Sequence, residues 1–162
     1  MEHLGYWEHY SEMALRLILA LLAGTILGLN RWLHHKSAGM RTHSLVAIGS
    51  ATAVMSLGNH GVIDTQALSH VFQGLITGLG FLGAGVIIRE HSSQRIHGLT
   101  TAASIWSSAL IAAAFGAGQL VLGGLALGAI VLTLVLGGPL ERMIRKLTGI
   151  RRASELSTDP DE

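Results

Sequence analysis

Residues 71–88 read VFQGLITGLGFLGAGVII, an apolar run that contains five glycines and no charged residue. A helix needs about 20 mostly apolar residues to cross the hydrocarbon core of a bilayer, and membrane helices tolerate glycine better than soluble ones. Apolar residues make up 49% of the chain and charged residues only 13%, about half the charged share of a typical soluble domain. The sequence therefore predicts an integral membrane protein.

Four further apolar segments accompany this run, which makes about five transmembrane helices. We expect them over residues 13–29, 42–57, 71–88, 99–115 and 119–140. The second segment is short and polar at its edges, so a re-entrant or interfacial segment is the alternative there. The predicted fold is an all-α bundle that forms one domain over residues 1–150. The polar tail, 151–162, is expected to be cytoplasmic and disordered.

Basic residues predict the orientation of the bundle, because cytoplasmic loops of membrane proteins are enriched in Lys and Arg. They lie in the first and third connections and after the fifth span, at Arg31, Lys36, Arg41, Arg89, Arg95, Arg142, Arg145, Lys146, Arg151 and Arg152. The N-terminal segment and the other two connections contain none. This alternation predicts an outside N-terminus and a cytoplasmic C-terminus. Arg16, near the outer end of the first span, is the exception, and we expect its side chain to snorkel to the headgroups.

Glycines spaced four apart predict how the helices pack, since such a pair places two small residues on one helix face. Three spans carry one pair each: Gly24 and Gly28, Gly74 and Gly78, Gly124 and Gly128. We favour packing within one chain, and association into a homo-oligomer is the alternative. Because a helix so rich in glycine is a poor choice for the lipid-facing rim, we expect the third span at the centre of the bundle.

Small and polar residues line the third and fourth spans, and we expect their polar faces to meet. The residues assigned to helix packing or to a polar crevice are Gln73, Gly74, Thr77, Gly78, Gly80, Gly83 and Gly85 in the third span and Ser104 in the fourth. Interhelical hydrogen bonding is the favoured interpretation. A crevice that admits water or an ion is the alternative.

Three blocks of the sequence resemble the signatures of the MgtC/SapB family of bacterial membrane proteins. They are AGMRTHSLV at residues 38–46, GLGFLGAGVI at 78–87 and GLTTAASIW at 98–106, in the family's order. The chain has Asn30 where the family commonly has Glu, and His97 where it commonly has Arg. The resemblance implies a multi-pass inner-membrane protein linked to magnesium limitation, acid stress and virulence. It also implies a regulator of other membrane proteins, including the proton-driven ATP synthase in some cases.

Many members of this family carry a soluble ACT-like domain after the membrane domain. The present sequence ends before such a domain, and we therefore expect no regulation through one.

The family blocks place a group of polar residues at the predicted cytoplasmic ends of the spans. This candidate pocket contains Arg31, Arg41, Thr42, Arg89, His97, Gly98, Thr100 and Thr101. A helix N-terminus beside arginines favours an anion, so an anionic lipid headgroup or a phosphate-bearing ligand is the expected partner. The alternative is that these arginines only set the topology.

Several kinds of chemistry find no support in the sequence. There is no cysteine for disulfides or thiol catalysis, and the nine histidines show no metal-binding spacing, so no metal or cofactor is expected. No arrangement of nucleophile, base and orienting group can be identified, and a net charge of +1 gives no attraction to nucleic acid. The spans lack a carboxylate pair, which argues against a pump. The favoured function is a non-catalytic regulator that docks onto other membrane proteins; a small channel or transporter is the alternative.

The orientation can be tested with a topology reporter fused after Ile150. We expect a cytoplasmic signal, because five spans that begin outside must end inside. A periplasmic signal at this position would contradict the five-span arrangement.

Overall fold

The computed structural model describes residues 2–59, 62–63, 65–89 and 96–148. Its helices are α1 (Glu2–Leu33), α2 (Met40–Met55), α3 (Thr65–Val86), α4 (Leu99–Gly116) and α5 (Leu120–Thr148). Two short antiparallel pairs join them, β1 (Gly58–Asn59) with β2 (Val62–Ile63) and β3 (Ile88–Arg89) with β4 (Ile96–His97). The prediction of an all-α bundle of five helices is confirmed. The predicted tail, 151–162, lies outside the described residues.

Four of the described helices are long and apolar enough to cross a membrane: Trp7–Leu33, Thr65–Val86, Leu99–Gly116 and Leu120–Thr148. α2 has only 16 residues, which corresponds to about 24 Å at 1.5 Å per residue. It is nevertheless continuous and antiparallel to α1. Its first residue, Met40, packs against Gly28 near the end of α1, and its last, Met55, shares a pocket with Arg16 near the start of α1.

The centre of the bundle is formed by α1, α2 and α4, whose contact faces consist largely of alanine. Buried residues include Ala20, Ala47, Ala51 and Ala112 in one cluster. Of the window that would span the membrane, 56% is buried in α4, 11% in α3 and 6% in α5. The expectation of a central third span is therefore wrong, and α3 lies at the rim. Alanine and serine keep α4 narrow at the contact and still provide side chains that pack.

The three glycine pairs behave differently. A Cβ atom added to Gly24 would lie 2.6 Å from the His43 carbonyl oxygen, and one added to Gly28 would lie 2.5 Å from Met40 Cα. The backbones of α1 and α2 thus touch at these two positions, as expected for packing within one chain. The pairs in α3 and α5 have no described atom within 4 Å of such a Cβ, and they remain open on the surface.

Gly98 fixes the connection between α3 and α4. It has a φ angle of +92° immediately before α4, a region that favours glycine. A Cβ atom here would lie 2.0 Å from the Val86 carbonyl oxygen, so the last residue of α3 is held against the start of α4.

Arg16 lies at the opposite end of the bundle, where it contacts the end of α4. Its Nη1 donates a hydrogen bond of 3.1 Å to the Gly116 carbonyl oxygen, and its Nη2 pairs with Glu12. The last carbonyls of a helix lack partners and favour a cation. Arg16 therefore caps α4, and this contact replaces the expected snorkelling as the reason for a basic residue at this end.

The difference between the glycine pairs can be measured with Gly28→Ala and Gly128→Ala. The first forces the α1 and α2 backbones apart, and overpacking of this kind costs about 1–3 kcal/mol. The second adds a methyl group to an open surface, so the stability should stay within about 0.5 kcal/mol of the original. Unfolding of the detergent-solubilised protein would measure both; equal destabilisation would contradict the α1–α2 contact.

Candidate functional site

A buried polar cluster lies where α1 ends and α2 and α4 begin. It consists of Arg31, His43, Thr101, Ser104 and Ser108, which are between 0 and 5% exposed. We call these five residues the polar cluster. Burial of so many polar groups in a membrane protein is costly unless they bond to one another, so their mutual geometry decides what the cluster does.

Arg31 joins the end of α1 to the start of α4. Its Nη2 donates a hydrogen bond of 2.7 Å to Thr101 Oγ1, while its buried Nε has no hydrogen-bond partner among the described residues. Within the same ranges no carboxylate pairs with Arg31. A cation in the last turn of a helix is stabilised by the helix dipole, which contributes to holding this charge at the buried end of α1.

His43 joins α2 to α4. Its Nδ1 lies 3.0 Å from the Gly39 carbonyl oxygen, and its Nε2 lies 3.1 Å from Ser104 Oγ. Ser104 Oγ in turn lies 2.8 Å from the Thr101 carbonyl oxygen. Ser108 Oγ completes the contact with α2 through the His43 carbonyl oxygen at 3.4 Å.

The position of hydrogen atoms in this chain of contacts is constrained. Gly39 and Thr101 present carbonyl oxygens, which only accept. A neutral imidazole and one hydroxyl supply two hydrogens for three contacts: Nδ1 to Gly39, Nε2 to Ser104, and Ser104 to Thr101. With Nδ1–H bonded to Gly39, the Ser104 hydroxyl donates either to Nε2 or to Thr101. With the hydrogen on Nε2 instead, His43 donates to Ser104, Ser104 donates to Thr101, and Nδ1 faces the Gly39 carbonyl oxygen without a hydrogen. The neutral cluster therefore has three arrangements that each satisfy two of the three contacts, and a second ring hydrogen on His43 would satisfy all three.

The predicted cytoplasmic pocket is only partly assembled. Arg31 and Thr101 meet, and Ser104 lies beside them. Arg41, Thr42 and Thr100 are exposed and stand outside the polar cluster. His97 is exposed on β4 and Gly98 serves the α3–α4 connection, whereas the side chains of Arg89 and Arg95 lie outside the described residues.

The expectation that the polar faces of the third and fourth spans meet is wrong. Ser104 and Ser108 point to His43 on α2. On α3, Gln73 and Thr77 are exposed, and Thr77 Oγ1 donates to the Gln73 carbonyl oxygen of its own helix at 2.9 Å. A polar crevice between α3 and α4 is absent from the described residues, because Ser104 and Ser108 are bonded to His43 of α2 and Thr101 to Arg31 of α1.

The sequence reasoning missed the roles of His43 and Ser108. The available signal was the spacing of Thr101, Ser104 and Ser108, three and four residues apart, which places them on one face of a helix. His43 lies inside the AGMRTHSLV block, directly before Ser44. That serine makes a separate contact, at 3.0 Å from Thr25 Oγ1 on α1.

The part of the chain that the structure describes contains no cluster of metal ligands. No group of three or more His, Asp or Glu residues lies close enough there to hold an ion. The polar cluster offers hydroxyl, imidazole and guanidinium groups, and magnesium prefers carboxylate and carbonyl oxygens.

These features define a helical membrane protein in which buried arginine, histidine and hydroxyl side chains join the three central helices. The sequence profile of the MgtC family matches residues 17–143. The chain belongs to the MgtC family.

Curated relatives support this membership. The chain is 43% identical over 121 residues to "Protein SrpB" of Synechococcus elongatus, which covers 68% of this chain and 66% of the relative. It is 41% identical over 120 residues to the "Putative magnesium transporter YhiD" of Escherichia coli K12, covering 70% of this chain and 54% of that protein. It is 38% identical over 112 residues to "Protein MgtC" of Brucella abortus, covering 69% and 45%.

The matched region thus spans about half to two thirds of these relatives' own lengths. No solved structure matches the chain.

The polar cluster can be tested with Thr101→Val. This change leaves the buried Arg31 guanidinium without its hydroxyl partner, and an unsatisfied buried group costs about 1–3 kcal/mol. The matched control is Thr100→Val, because Thr100 is the exposed neighbour in the same helical turn. Thermal unfolding of the solubilised protein would compare the two.

A double variant sharpens this test. Replacing both partners of a buried polar contact by apolar groups can be nearly neutral, so Arg31→Met combined with Thr101→Val should recover most of the stability lost in Thr101→Val alone. Additive losses in the double variant would show that the two side chains are not coupled.

Proposed function

We propose that this protein is a non-catalytic regulator in the bacterial inner membrane, which acts by docking laterally onto other membrane proteins. The observation that carries the proposal is the contrast between its interior and its rim. The side chains of the polar cluster are buried and bond to groups of α1, α2 and α4, whereas α3 and α5 expose most of their surface. We also propose the multi-pass topology with an outside N-terminus, which the distribution of basic residues favours.

Burial of the polar cluster supports the non-catalytic part of this proposal. Ser104 and His43 lie at the distance of a nucleophile and its base, but they are 2% and 0% exposed. A carbonyl oxygen, that of Gly39, occupies the position of the orienting group. A nucleophile must reach its substrate, and these side chains are directed into the packed centre of the bundle, so we favour a structural role for the pair.

The docking surface that we favour is a groove between α5 and α1. Its volume is about 490 Å³ and its lining is almost wholly apolar, with Ile26, Gly124, Leu127, Gly128, Val131, Leu132 and Val135. The glycine pair leaves the α5 backbone accessible, and such a pair lets a partner helix approach closely. A transmembrane helix of another protein is the kind of partner that this groove fits.

The biological setting is proposed from the relatives. Two of them carry the names MgtC and putative magnesium transporter, which supports a role during magnesium limitation. Acid stress and virulence are extensions of this role from the family resemblance. The second candidate function, transport of an ion or small solute, is favoured by the name of the second relative; the polar cluster lacks the oxygen ligands that magnesium prefers.

Photocrosslinking from the groove tests the docking proposal. A photoreactive residue at Leu132, which lines the groove, should capture one defined membrane protein in living cells, and one at the exposed neighbour Thr133 should not. Gly128→Leu should fill the groove, because no described atom lies within 4 Å of a Cβ at this position. The filled groove should no longer give the crosslink, and growth in low magnesium should be reduced. Unchanged growth and crosslinking in Gly128→Leu would contradict docking through α5.

Flux measurements separate the two candidate functions. Purified protein in liposomes should give no saturable flux of magnesium or protons. Flux that disappears in Arg41→Ala or Thr77→Val would overturn the regulator proposal in favour of transport.

A further inference from the structure

A regular seam of exposed residues runs along α3. Its members are spaced four, three, four, three and four residues apart, and each is exposed: Gln66, His70, Gln73, Thr77, Gly80 and Ala84. We call these six residues the α3 seam. The mean spacing is about 3.6 residues, the period of an α-helix, so the six residues lie on one stripe of its surface. The spacing defines one face of α3, and the side chains on that face decide what it can contact.

The side of α3 that carries the seam is not the side that holds the helix to the rest of the chain. Leu79 is the buried residue of α3, and a Cβ atom on Gly83 would lie 3.6 Å from Ala102 on α4. With 100° per residue, Leu79 and Gly83 lie well away from the stripe of Thr77, Gly80 and Ala84. Attachment to the bundle therefore leaves the seam available.

The polar composition of the seam is costly while it faces lipid. Gln73 lies about 12 Å along α3 from Thr65, at 1.5 Å per residue, which places it at the depth of the hydrocarbon core. Its exposed amide makes no side-chain hydrogen bond within the described ranges. Lipid offers no partner for an amide, so this position favours a second protein surface with donor and acceptor groups at the same depth.

A second copy of this chain meets these requirements, and we propose that the α3 seam is the interface of a homodimer. Two copies inserted with the same orientation are related by an axis along the membrane normal, so each seam residue meets its own counterpart. The Gln73 amide both donates and accepts, and it therefore forms reciprocal hydrogen bonds with the Gln73 amide of the other copy.

The C-terminal half of the seam is compatible with this arrangement. Gly80 and Ala84 are four residues apart, and no described atom lies within 4 Å of a Cβ on Gly80. Small residues in this spacing let two helices approach closely. α3 contains no Asp, Glu, Lys or Arg, so no charge opposes the contact between two identical helices.

Single-cysteine variants test the interface directly, because the natural chain contains no cysteine. Thr77→Cys and Ala84→Cys lie on the seam and should form disulfide-linked dimers on mild oxidation of the full-length protein in liposomes. Gly78→Cys and Gly85→Cys lie one residue further, at the same depth and equally exposed, and point about 100° away. They should remain monomeric.

A second measurement does not depend on crosslinking. The dimer fraction of labelled protein can be followed by energy transfer as the protein is diluted with lipid. Gln73→Leu should weaken association roughly threefold to tenfold, in line with the loss of one or two interhelical hydrogen bonds. Gly80→Leu should weaken it further by separating the helices, whereas the control Gly85→Leu should leave it unchanged.

Equal crosslinking at seam and control positions would overturn the proposal, as would failure of both seam variants to crosslink. Seam crosslinks to a different membrane protein in cells, without dimers of this chain, would assign the α3 seam to a heterologous partner and also overturn it. The outcome is independent of the docking groove, because the groove is tested on α5 and the seam on α3.

Discussion

Contact between the backbones of α1 and α2 at Gly24 and Gly28 is the constraint on which the rest of the structure depends. Lipid is as apolar as the side chains it would replace, so apolar burial does not drive helices together in a bilayer. Close approach and hydrogen bonding remain. The two glycines bring α2 within van der Waals reach of α1. α2 is too short to rely on the bilayer for its position, and it is held by its neighbours instead.

This contact also creates the polar cluster. His43 sits on α2 next to the Gly24 contact, with its carbonyl oxygen turned to the glycine and its ring directed at Ser104 of α4. Arg31 follows Gly28 by three residues on α1 and reaches Thr101 of the same α4 turn. A larger residue at Gly24 or Gly28 would therefore disturb both the backbone contact and the alignment of the hydrogen bonds. The hydrogen bonds of the polar cluster thus depend on the small residues that bring α1 and α2 together.

The sequence was sufficient to predict the helices, because length and hydropathy determine which segments can cross a membrane. It was not sufficient to distinguish Gly28 from Gly128. Both belong to glycine pairs with the same spacing, but the first meets Met40 and the second meets no described atom. A glycine pair reports that a close approach is permitted on that face; it does not report whether the partner belongs to the same chain.

The same limit explains the polar residues. The spacing of Thr101, Ser104 and Ser108 places them on one face of α4, but the direction of that face depends on how α2 and α3 are arranged around it. Sequence order favoured α3, the preceding helix. In the structure this face meets α2, because the contact at Gly24 and Gly28 places His43 of α2 beside Ser104. Gln73 and Thr77 are then left exposed on α3.

A closed centre with two open sides has a consequence for assembly. α3 lies next to α2 and α4, whereas α5 lies next to α4 and α1, so the α3 seam and the α5 groove belong to different flanks of the core. Pairing through α3 would leave both α5 grooves free, because the two surfaces lie on different helices. Each protomer would then present one groove, so a dimer would carry two. A substitution confined to the seam would change the number of grooves per assembly without changing the groove itself.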